Sequence, residues 1–201
     1  SERSGHRHLY QYSNAGALMR QITKGDWEVT AYYGYDPVTR SFYFQSTQDG
    51  PLERTVSVAA PNGVVKKLAV GGTNSATFNS TMTYYLLNHS DSKTPNTYKL
   101  YTSKGKLVRT VLDNSSYAAR FPKSDLPVKE FITVDNGKGT SLNAYLLKPS
   151  NFSASKKYPV IVYQYSGPGS QLVLNKWDLD WLHYAAQNGY IVACVDGRGT
   201  G

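Results

Sequence analysis

Two glycine-rich turns near the end of the chain hold the side chains best placed for chemistry. Ser166-Gly-Pro-Gly169 follows an apolar run over 158–165 that ends at Tyr165, and Asp196-Gly-Arg-Gly-Thr-Gly201 follows a second apolar run. Between them, apolar residues over 172–188 recur at helical spacing. Strand, glycine turn, helix, strand and glycine turn predict a parallel α/β sheet. Reactive groups in such a sheet lie just beyond the carboxyl ends of the strands, where both turns are expected.

Other polar side chains near these turns have simpler structural roles than catalysis. Asp180 and His183 are three residues apart on the expected helix and can contact each other, but no serine is placed to complete a triad. Ser170 follows a glycine at the expected helix start, where capping is favoured over nucleophilic attack. Asp196 and Arg198 are expected to pair and fix their turn. The Gly-x-Gly-x-Gly spacing there differs from the Gly-x-Gly-x-x-Gly fingerprint of dinucleotide sites.

Metal, cofactor and nucleic-acid binding have weak support. His6 and His8 form a His-Arg-His pair with no third ligand nearby, so strand-face histidines are favoured over a metal site. Cys194 lies in an apolar run and is predicted to be a buried small hydrophobe. The net charge is +8, but the basic residues are dispersed, which is typical of a solvated surface. We therefore expect no metal, no cofactor and no nucleic-acid partner.

The first part of the chain, up to about residue 116, repeats one hairpin three times. Its turn glycine recurs at Gly16, Gly63 and Gly105, which are 47 and 42 residues apart. A second type of hairpin lies between successive copies, and two hairpins per interval make one four-stranded propeller blade. The pattern predicts about two to three blades, whereas a closed propeller needs about four to eight. Trp27 and the tyrosines have strand spacing, which favours packing between blades over stacking on nucleobases or sugars.

A change of pattern separates the two parts of the chain. We place the domain boundary near Phe121–Pro122, with the C-terminal blades of a β-propeller over 1–121 and the N-terminal part of an α/β-hydrolase domain over 122–201. A short helix capped by Asn114 or Ser115 is expected after residue 113. The strand expected over 158–165 is apolar at nearly every position, which is typical of burial on both faces. Because the chain starts without methionine and stops in a turn after a strand, we interpret it as a piece of a longer protein.

The residues over 156–171, Lys-Lys-Tyr-Pro-Val-Ile-Val-Tyr-Gln-Tyr-Ser-Gly-Pro-Gly-Ser-Gln, resemble the dipeptidyl peptidase IV group of the prolyl oligopeptidase family. The residues over 192–201, Val-Ala-Cys-Val-Asp-Gly-Arg-Gly-Thr-Gly, resemble the same group. Tyr-x-Gly-Pro followed by Asp-Gly-Arg-Gly-x-Gly in this order and spacing is specific, whereas either motif alone is weak. The resemblance extends more loosely toward the start of the chain, through residues 22–29.

This resemblance implies a serine exopeptidase that releases X-Pro or X-Ala dipeptides through an acyl-enzyme. Its partner would be a peptide with a free amino terminus and Pro or Ala at the second position. The Ser-Asp-His triad would lie after residue 201 and the substrate-anchoring glutamate pair before residue 1, so the segment alone is expected to be inactive. A homodimeric parent protein in an extracytoplasmic, periplasmic or membrane-associated location of a bacterium is also expected. The alternatives are an acylaminoacyl peptidase or oligopeptidase relative, and a non-catalytic binding protein with the same fold.

Tyr165 is the site residue that the resemblance assigns to this segment. Its position matches the family tyrosine whose hydroxyl donates to the oxyanion of the transition state. It is expected at the end of the strand, in the loop that supplies one half of an α/β-hydrolase oxyanion hole. Without the Ser-Gly-Pro context, a core aromatic residue is the favoured interpretation of this tyrosine.

Overall fold

The computed structural model describes residues 1–121 and 126–200, and most of its regular structure is β. The described residues form fourteen strands and two short helices, with these bounds: β1 Tyr10–Tyr12, β2 Leu18–Gln21, β3 Val29–Asp36, β4 Ser41–Ser46, β5 Thr55–Ala59, β6 Val65–Ala69, β7 Thr73–Phe78, β8 Tyr84–Ser90, β9 Thr97–Thr102, β10 Leu107–Leu112, α1 Ser115–Ala118, β11 Glu130–Asp135, β12 Ser141–Leu147, β13 Val160–Tyr163, α2 Trp181–Gln187 and β14 Ile191–Val195.

The chain divides into two compact units. Unit 1 comprises Ser1–Asp91 and Asn96–Asp113, and unit 2 comprises Ser92–Pro95 and Asn114–Gly201. The predicted boundary at Phe121–Pro122 adjoins residues 122–125, which lie outside the described residues, and it stays a prediction. No helix in the described part of the chain is long and apolar enough to cross a membrane.

Unit 1 consists of propeller blades, as the hairpin repeat predicted. Two four-stranded antiparallel sheets have the strand orders β3-β4-β5-β6 and β10-β9-β8-β7, and the β1-β2 hairpin precedes them. Each four-stranded sheet is therefore two consecutive hairpins, which is the construction of a blade. The prediction of two to three blades is confirmed.

The repeated hairpin owes its turn to glycine. Gly16, Gly63 and Gly105 have φ values of +81°, +85° and +88°, a region that side chains with a Cβ rarely adopt. Each of these glycine N–H groups donates to the carbonyl three residues earlier, at 2.8 to 2.9 Å. The same local chemistry thus closes the β1-β2, β5-β6 and β9-β10 hairpins, which is why the repeat is visible in the sequence.

Aromatic residues fill the spaces between neighbouring sheets of unit 1. Trp27 stacks on Phe44 with ring centroids 6.1 Å apart, within a cluster that joins the first hairpin to the first four-stranded sheet. Phe78 lies between Tyr43 and Tyr85, at 4.6 and 5.0 Å, where the two four-stranded sheets meet. These contacts confirm the predicted role of Trp27 and of these tyrosines in packing between blades.

Unit 2 contains a mixed sheet with the order β11-β12-β14-β13. β11, β12 and β14 pair antiparallel, whereas β13 and β14 run parallel. A parallel pair requires a long crossover, and the segment between β13 and β14 supplies it and contains α2. The predicted α/β architecture is confirmed. Its central strands β12 and β14 hold the fully buried side chains Leu147, Val192 and Cys194.

The helix expected over 172–188 is much shorter than predicted, because α2 begins only at Trp181. The preceding residues are irregular, and their backbone groups bond to side chains from the sheet and its edges. Leu172 N and Val173 N donate to the Asp196 carboxylate, and the Leu174 carbonyl accepts from Lys129 Nζ. These tertiary bonds replace helical ones, so apolar spacing alone misassigned the segment.

The strand expected over 158–165 is also shorter, and its predicted burial on both faces is wrong for this chain. β13 spans Val160–Tyr163 at the edge of the sheet, and Val160 and Val162 are 58% and 68% exposed. The apolar residues of an edge strand stay exposed wherever no neighbouring element covers them, and the described residues leave Val160 and Val162 uncovered. The short helix α1 begins near Asn114 as predicted, but the Asn114 side chain makes no capping hydrogen bond.

Candidate functional site

The two glycine turns emerge at the same edge of the unit 2 sheet. Because β13 and β14 are parallel and neighbouring, the loop after Tyr163 and the loop after Val195 both leave from their carboxyl ends. Tyr165 lies two residues beyond β13, so it belongs to the loop and is not the last residue of the strand as predicted. The predicted meeting of the two turns beyond the strand ends is correct.

Backbone and carboxylate hydrogen bonds hold the two loops together. Gly169 N donates to the Gly199 carbonyl at 3.1 Å. The Asp196 carboxylate accepts from Leu172 N at 3.0 Å with one oxygen and from Val173 N at 2.8 Å with the other. Asp196 is buried, and both of its oxygens thus serve the first loop, so the predicted pairing with Arg198 is wrong.

Tyr165 projects from this joined pair of loops into solvent. Its side chain is 72% exposed, and its hydroxyl makes no hydrogen bond to the described residues. The next residue, Ser166, has a left-handed backbone with φ +56°, a strained conformation for a residue with a side chain. Its Oγ accepts a hydrogen bond from Gln164 Nε2. The loop therefore presents a free phenolic donor on a sharply turned backbone.

Ser170 closes the turn of this loop by hydrogen bonding and does not cap a helix. Its Oγ donates to the Gly167 carbonyl at 2.6 Å, and its backbone N–H donates to the same carbonyl at 3.2 Å. The predicted helix start at this position is absent because α2 begins at Trp181. The Ser170 hydroxyl is engaged in closing the turn, which is consistent with discounting it as a nucleophile.

Asp180 and His183 contact each other as expected, in a capping arrangement. Asp180 is the N-cap of α2, and its Oδ1 accepts from Leu182 N at 2.9 Å and lies 3.2 Å from His183 Nδ1. The pair satisfies backbone donors at the start of the helix. Its observed role is structural.

A buried ion pair in unit 2 had no signal in the sequence. The Lys129 side chain is 2% exposed, and its Nζ lies 2.7 Å from Asp178 Oδ1 and 4.9 Å from the centroid of the Tyr145 ring. Burial lowers the pKa of Lys129, and the nearby Asp178 carboxylate opposes that shift. Lys129 stands in a run of alternating residues like any exposed strand lysine, so only the fold reveals its burial.

Cys194 is buried next to this pair, as predicted. Burial raises the pKa of its thiol to about 11, and the nearby Tyr145 hydroxyl opposes that rise. Burial also raises the pKa of Tyr145. A thiol with such a pKa stays protonated near neutral pH and is a poor nucleophile.

The histidines near the start of the chain differ in burial. His8 is buried, and its Nδ1 and Nε2 lie 3.0 Å from Thr23 Oγ1 and 3.1 Å from the Gly25 carbonyl, respectively. His6 is exposed. Among the described residues, no three histidine, cysteine or acidic side chains converge as metal ligands. Both ring nitrogens of His8 are used in local structure, which fits the favoured structural role.

Comparisons with known proteins agree with this fold. A family model described as the dipeptidyl peptidase IV (DPP IV) N-terminal region matches residues 1–96. The crystal structure of Porphyromonas gingivalis dipeptidyl peptidase 4 superposes with a TM-score of 0.94 at 42% identity, covering 100% of this chain and 29% of that one. A probable dipeptidyl peptidase 4 of Aspergillus flavus is 33% identical over 100% of this chain and 27% of its own length. A probable dipeptidyl-aminopeptidase B of Phaeosphaeria nodorum is 36% identical over 90% of this chain and 20% of its own length.

Fold and loop geometry define the class: propeller blades followed by the first strands of an α/β-hydrolase domain. The matches support, more narrowly, a segment of the dipeptidyl peptidase IV type. It spans between a fifth and about a third of the length of these relatives.

Proposed function

We propose that this chain is part of a serine exopeptidase that releases X-Pro or X-Ala dipeptides from peptide amino termini through an acyl-enzyme. The observation that carries the proposal is similarity along the whole chain to proteins named dipeptidyl peptidase 4, at 33% and 42% identity. The propeller blades precede the hydrolase strands, as they do in the family that the sequence resembles.

Within that enzyme, we assign Tyr165 as a donor to the oxyanion. Attack on the scissile carbonyl places negative charge on its oxygen, and a hydroxyl aimed at that oxygen stabilises the transition state. The exposed hydroxyl of Tyr165, with no partner among the described residues, is available for that bond. The second donor would be the backbone N–H after the nucleophilic serine. By the family resemblance, that serine, its aspartate and histidine, and the substrate-anchoring glutamates lie outside this chain.

The test is peptide hydrolysis by the full-length protein and by the segment. The full-length protein should release 4-nitroaniline from Gly-Pro-4-nitroanilide, and a serine-directed inhibitor should block the release. N-acetylation of the same substrate should abolish hydrolysis, because the proposed site binds a free amino terminus. The 201-residue segment should show no turnover. Cleavage of only the acetylated substrate would assign an acylaminoacyl peptidase instead, and binding without cleavage would assign a non-catalytic protein.

We also propose that the full-length protein is a homodimer in an extracytoplasmic compartment, periplasmic or membrane-associated. This rests on the family resemblance. Light scattering on the purified full-length protein and fractionation of the source cells test the two statements separately. A monomer, or a protein recovered with cytoplasmic markers, would contradict the respective statement without touching the peptidase proposal.

A further inference from the structure

The ring of Tyr165 lies directly over the backbone of Gly167. A Cβ built on Gly167 would stand 2.5 Å from Tyr165 Cε1 and 3.1 Å from Cδ1, far inside van der Waals contact. The observed ring position is therefore compatible only with a residue that has no side chain at 167. We propose that Gly167 is a positioning residue for Tyr165, a role that rests on the proposed oxyanion function.

Steric space, and not backbone conformation, explains the glycine at this position. Gly167 does not have the positive φ that most glycines of this chain adopt, so alanine can follow the same backbone path. Ser170 Oγ lies 3.1 Å from the built Cβ and would have to shift by only a few tenths of an ångström. The clash that an added methyl group creates is mainly with Tyr165.

The backbone under the ring is held in place, so the ring must yield. The Gly167 carbonyl accepts from both Ser170 Oγ and Ser170 N, and Gly169 N is bound to the Gly199 carbonyl. By contrast, Tyr165 is 72% exposed and its hydroxyl has no partner among the described residues. Rotating an exposed ring sacrifices few contacts. A methyl group at 167 will therefore move the phenol and leave the loop folded.

Displacing the phenol matters for catalysis because an oxyanion donor acts over a narrow range of distances. A misplacement of about 1 Å can cost about 10²-fold in rate, and the loss appears in turnover when the bond forms only in the transition state. Gly167 thus acts on the reaction through Tyr165 and not through contact with substrate.

The test is a double-mutant cycle in the full-length protein with Gly-Pro-4-nitroanilide as substrate. Gly167→Ala should lower kcat about 10- to 100-fold with KM changed less than about threefold. In a Tyr165→Phe background, the same substitution should change kcat less than about twofold, because the hydroxyl that it displaces is already gone. The melting temperature of Gly167→Ala should stay within about 3 °C of the parent value.

Gly197→Ala is the matched control. Gly197 also lacks a positive φ, and among the described residues its built Cβ would meet only atoms of Ser166, the nearest being Oγ at 3.3 Å. This substitution should change kcat by no more than about threefold, since it meets no atom of Tyr165.

The outcomes separate the two proposals. Full activity of Tyr165→Phe would overturn the oxyanion assignment itself. A large loss in Tyr165→Phe with none in Gly167→Ala would overturn only the positioning role. Equal losses from Gly167→Ala in both backgrounds, or a fall in melting temperature of more than about 10 °C, would also overturn it, because the glycine would then act independently of Tyr165.

Discussion

The phenol of Tyr165 is 72% exposed although it follows an apolar strand, and this exposure distinguishes it from Tyr145. Tyr145, which is buried beside Cys194, serves the core. A hydroxyl that must meet a substrate oxygen needs an accessible position and no competing partner; Tyr165 is exposed, and its hydroxyl has no hydrogen-bond partner in the part of the chain that the structure describes. Residue type alone favours a core aromatic at this position, so the Ser-Gly-Pro context carried the assignment.

Tyr165→Phe in the full-length protein tests that assignment. Loss of one oxyanion donor costs about 2.7–4 kcal/mol of transition-state stabilisation, or about 10²–10³ in kcat. KM should change little, because the bond forms mainly in the transition state. Steady-state kinetics with Gly-Pro-4-nitroanilide measures both constants. A rise in KM at unchanged kcat would show instead that the phenol contributes to ground-state binding.

Tyr85 presents the opposite situation, a buried hydroxyl without a hydrogen-bond partner among the described residues. Burial raises the pKa of Tyr85 to about 12, and its ring stacks on Tyr101 at a centroid distance of 5.4 Å. Tyr85→Phe removes an unsatisfied polar group while keeping the ring, so the free energy of unfolding should rise by about 1 kcal/mol.

The matched control for this change is Tyr43→Phe. The Ser103 side chain lies near the Tyr43 hydroxyl and partly offsets the rise that burial causes in its pKa, so removal of this hydroxyl should lower the free energy of unfolding by about 1 kcal/mol. Urea unfolding followed by tryptophan fluorescence measures both variants of the full-length protein. Equal destabilisation by the two substitutions would mean that Tyr85 has a partner, such as a buried water.

At the scale of elements, the irregular segment before α2 shows where apolar spacing fails to predict secondary structure. Leu174, Trp177 and Trp181 have helical spacing, yet only Trp181 is helical. The preceding backbone bonds instead to Asp196 and Lys129, residues that are distant in sequence. Local helix propensity does not predict hydrogen bonds to residues that are distant in sequence and become neighbours only in the folded chain. The blade hairpins were predictable for the opposite reason, because their glycine turns are complete within a few residues.

The Lys129–Asp178 ion pair links this segment to the sheet. Substituting Asp178 and substituting Lys129 should lower the free energy of unfolding by unequal amounts. Asp178→Asn leaves the buried ammonium of Lys129 without its counter-charge, which should cost about 3–5 kcal/mol of unfolding free energy. Lys129→Met removes that buried charge and keeps an apolar chain of similar length, while Asp178, 32% exposed, can turn to water.

Lys129→Met should therefore cost less than about 2 kcal/mol, and the double variant should resemble it. Chemical unfolding of the three full-length variants measures the difference. Greater destabilisation by Lys129→Met than by Asp178→Asn would show that packing or the bond to the Leu174 carbonyl, and not charge compensation, dominates at this position.

At the scale of the whole molecule, the two units were predictable to different degrees. The blades are defined by hairpins that repeat within the chain, so their approximate number and their construction from two hairpins were predictable from the sequence. The sheet of unit 2 depends on pairings between distant strands, such as β12 with β14. The α/β fold class of unit 2 was predictable from the order of apolar runs and glycine turns, but the exposure of β13 was not. Burial there depends on what lies beside the edge strand.

The exposed edge of unit 2 predicts that a charge placed on β13 will reduce self-association of the isolated segment but destabilise the full-length protein. Val162 on β13 is 68% exposed, and the nearby Tyr163 and Trp181, whose rings are 6.0 Å apart, are 38% and 55% exposed. Because the relatives are several times longer than this chain, we expect further hydrolase-domain sequence to cover this face in the full-length protein. Alone, the segment should self-associate through it.

Val162→Lys should therefore make the isolated segment more monodisperse in sedimentation experiments, because it places a charge on the exposed apolar surface through which the segments would associate. In the full-length protein it should lower the free energy of unfolding by about 2–4 kcal/mol, because the same charge is then buried without a partner. Val38→Lys, at a valine that is 89% exposed in unit 1, controls for added charge and should do neither. A full-length protein as stable with Val162→Lys as with Val38→Lys would show that this edge stays open to solvent.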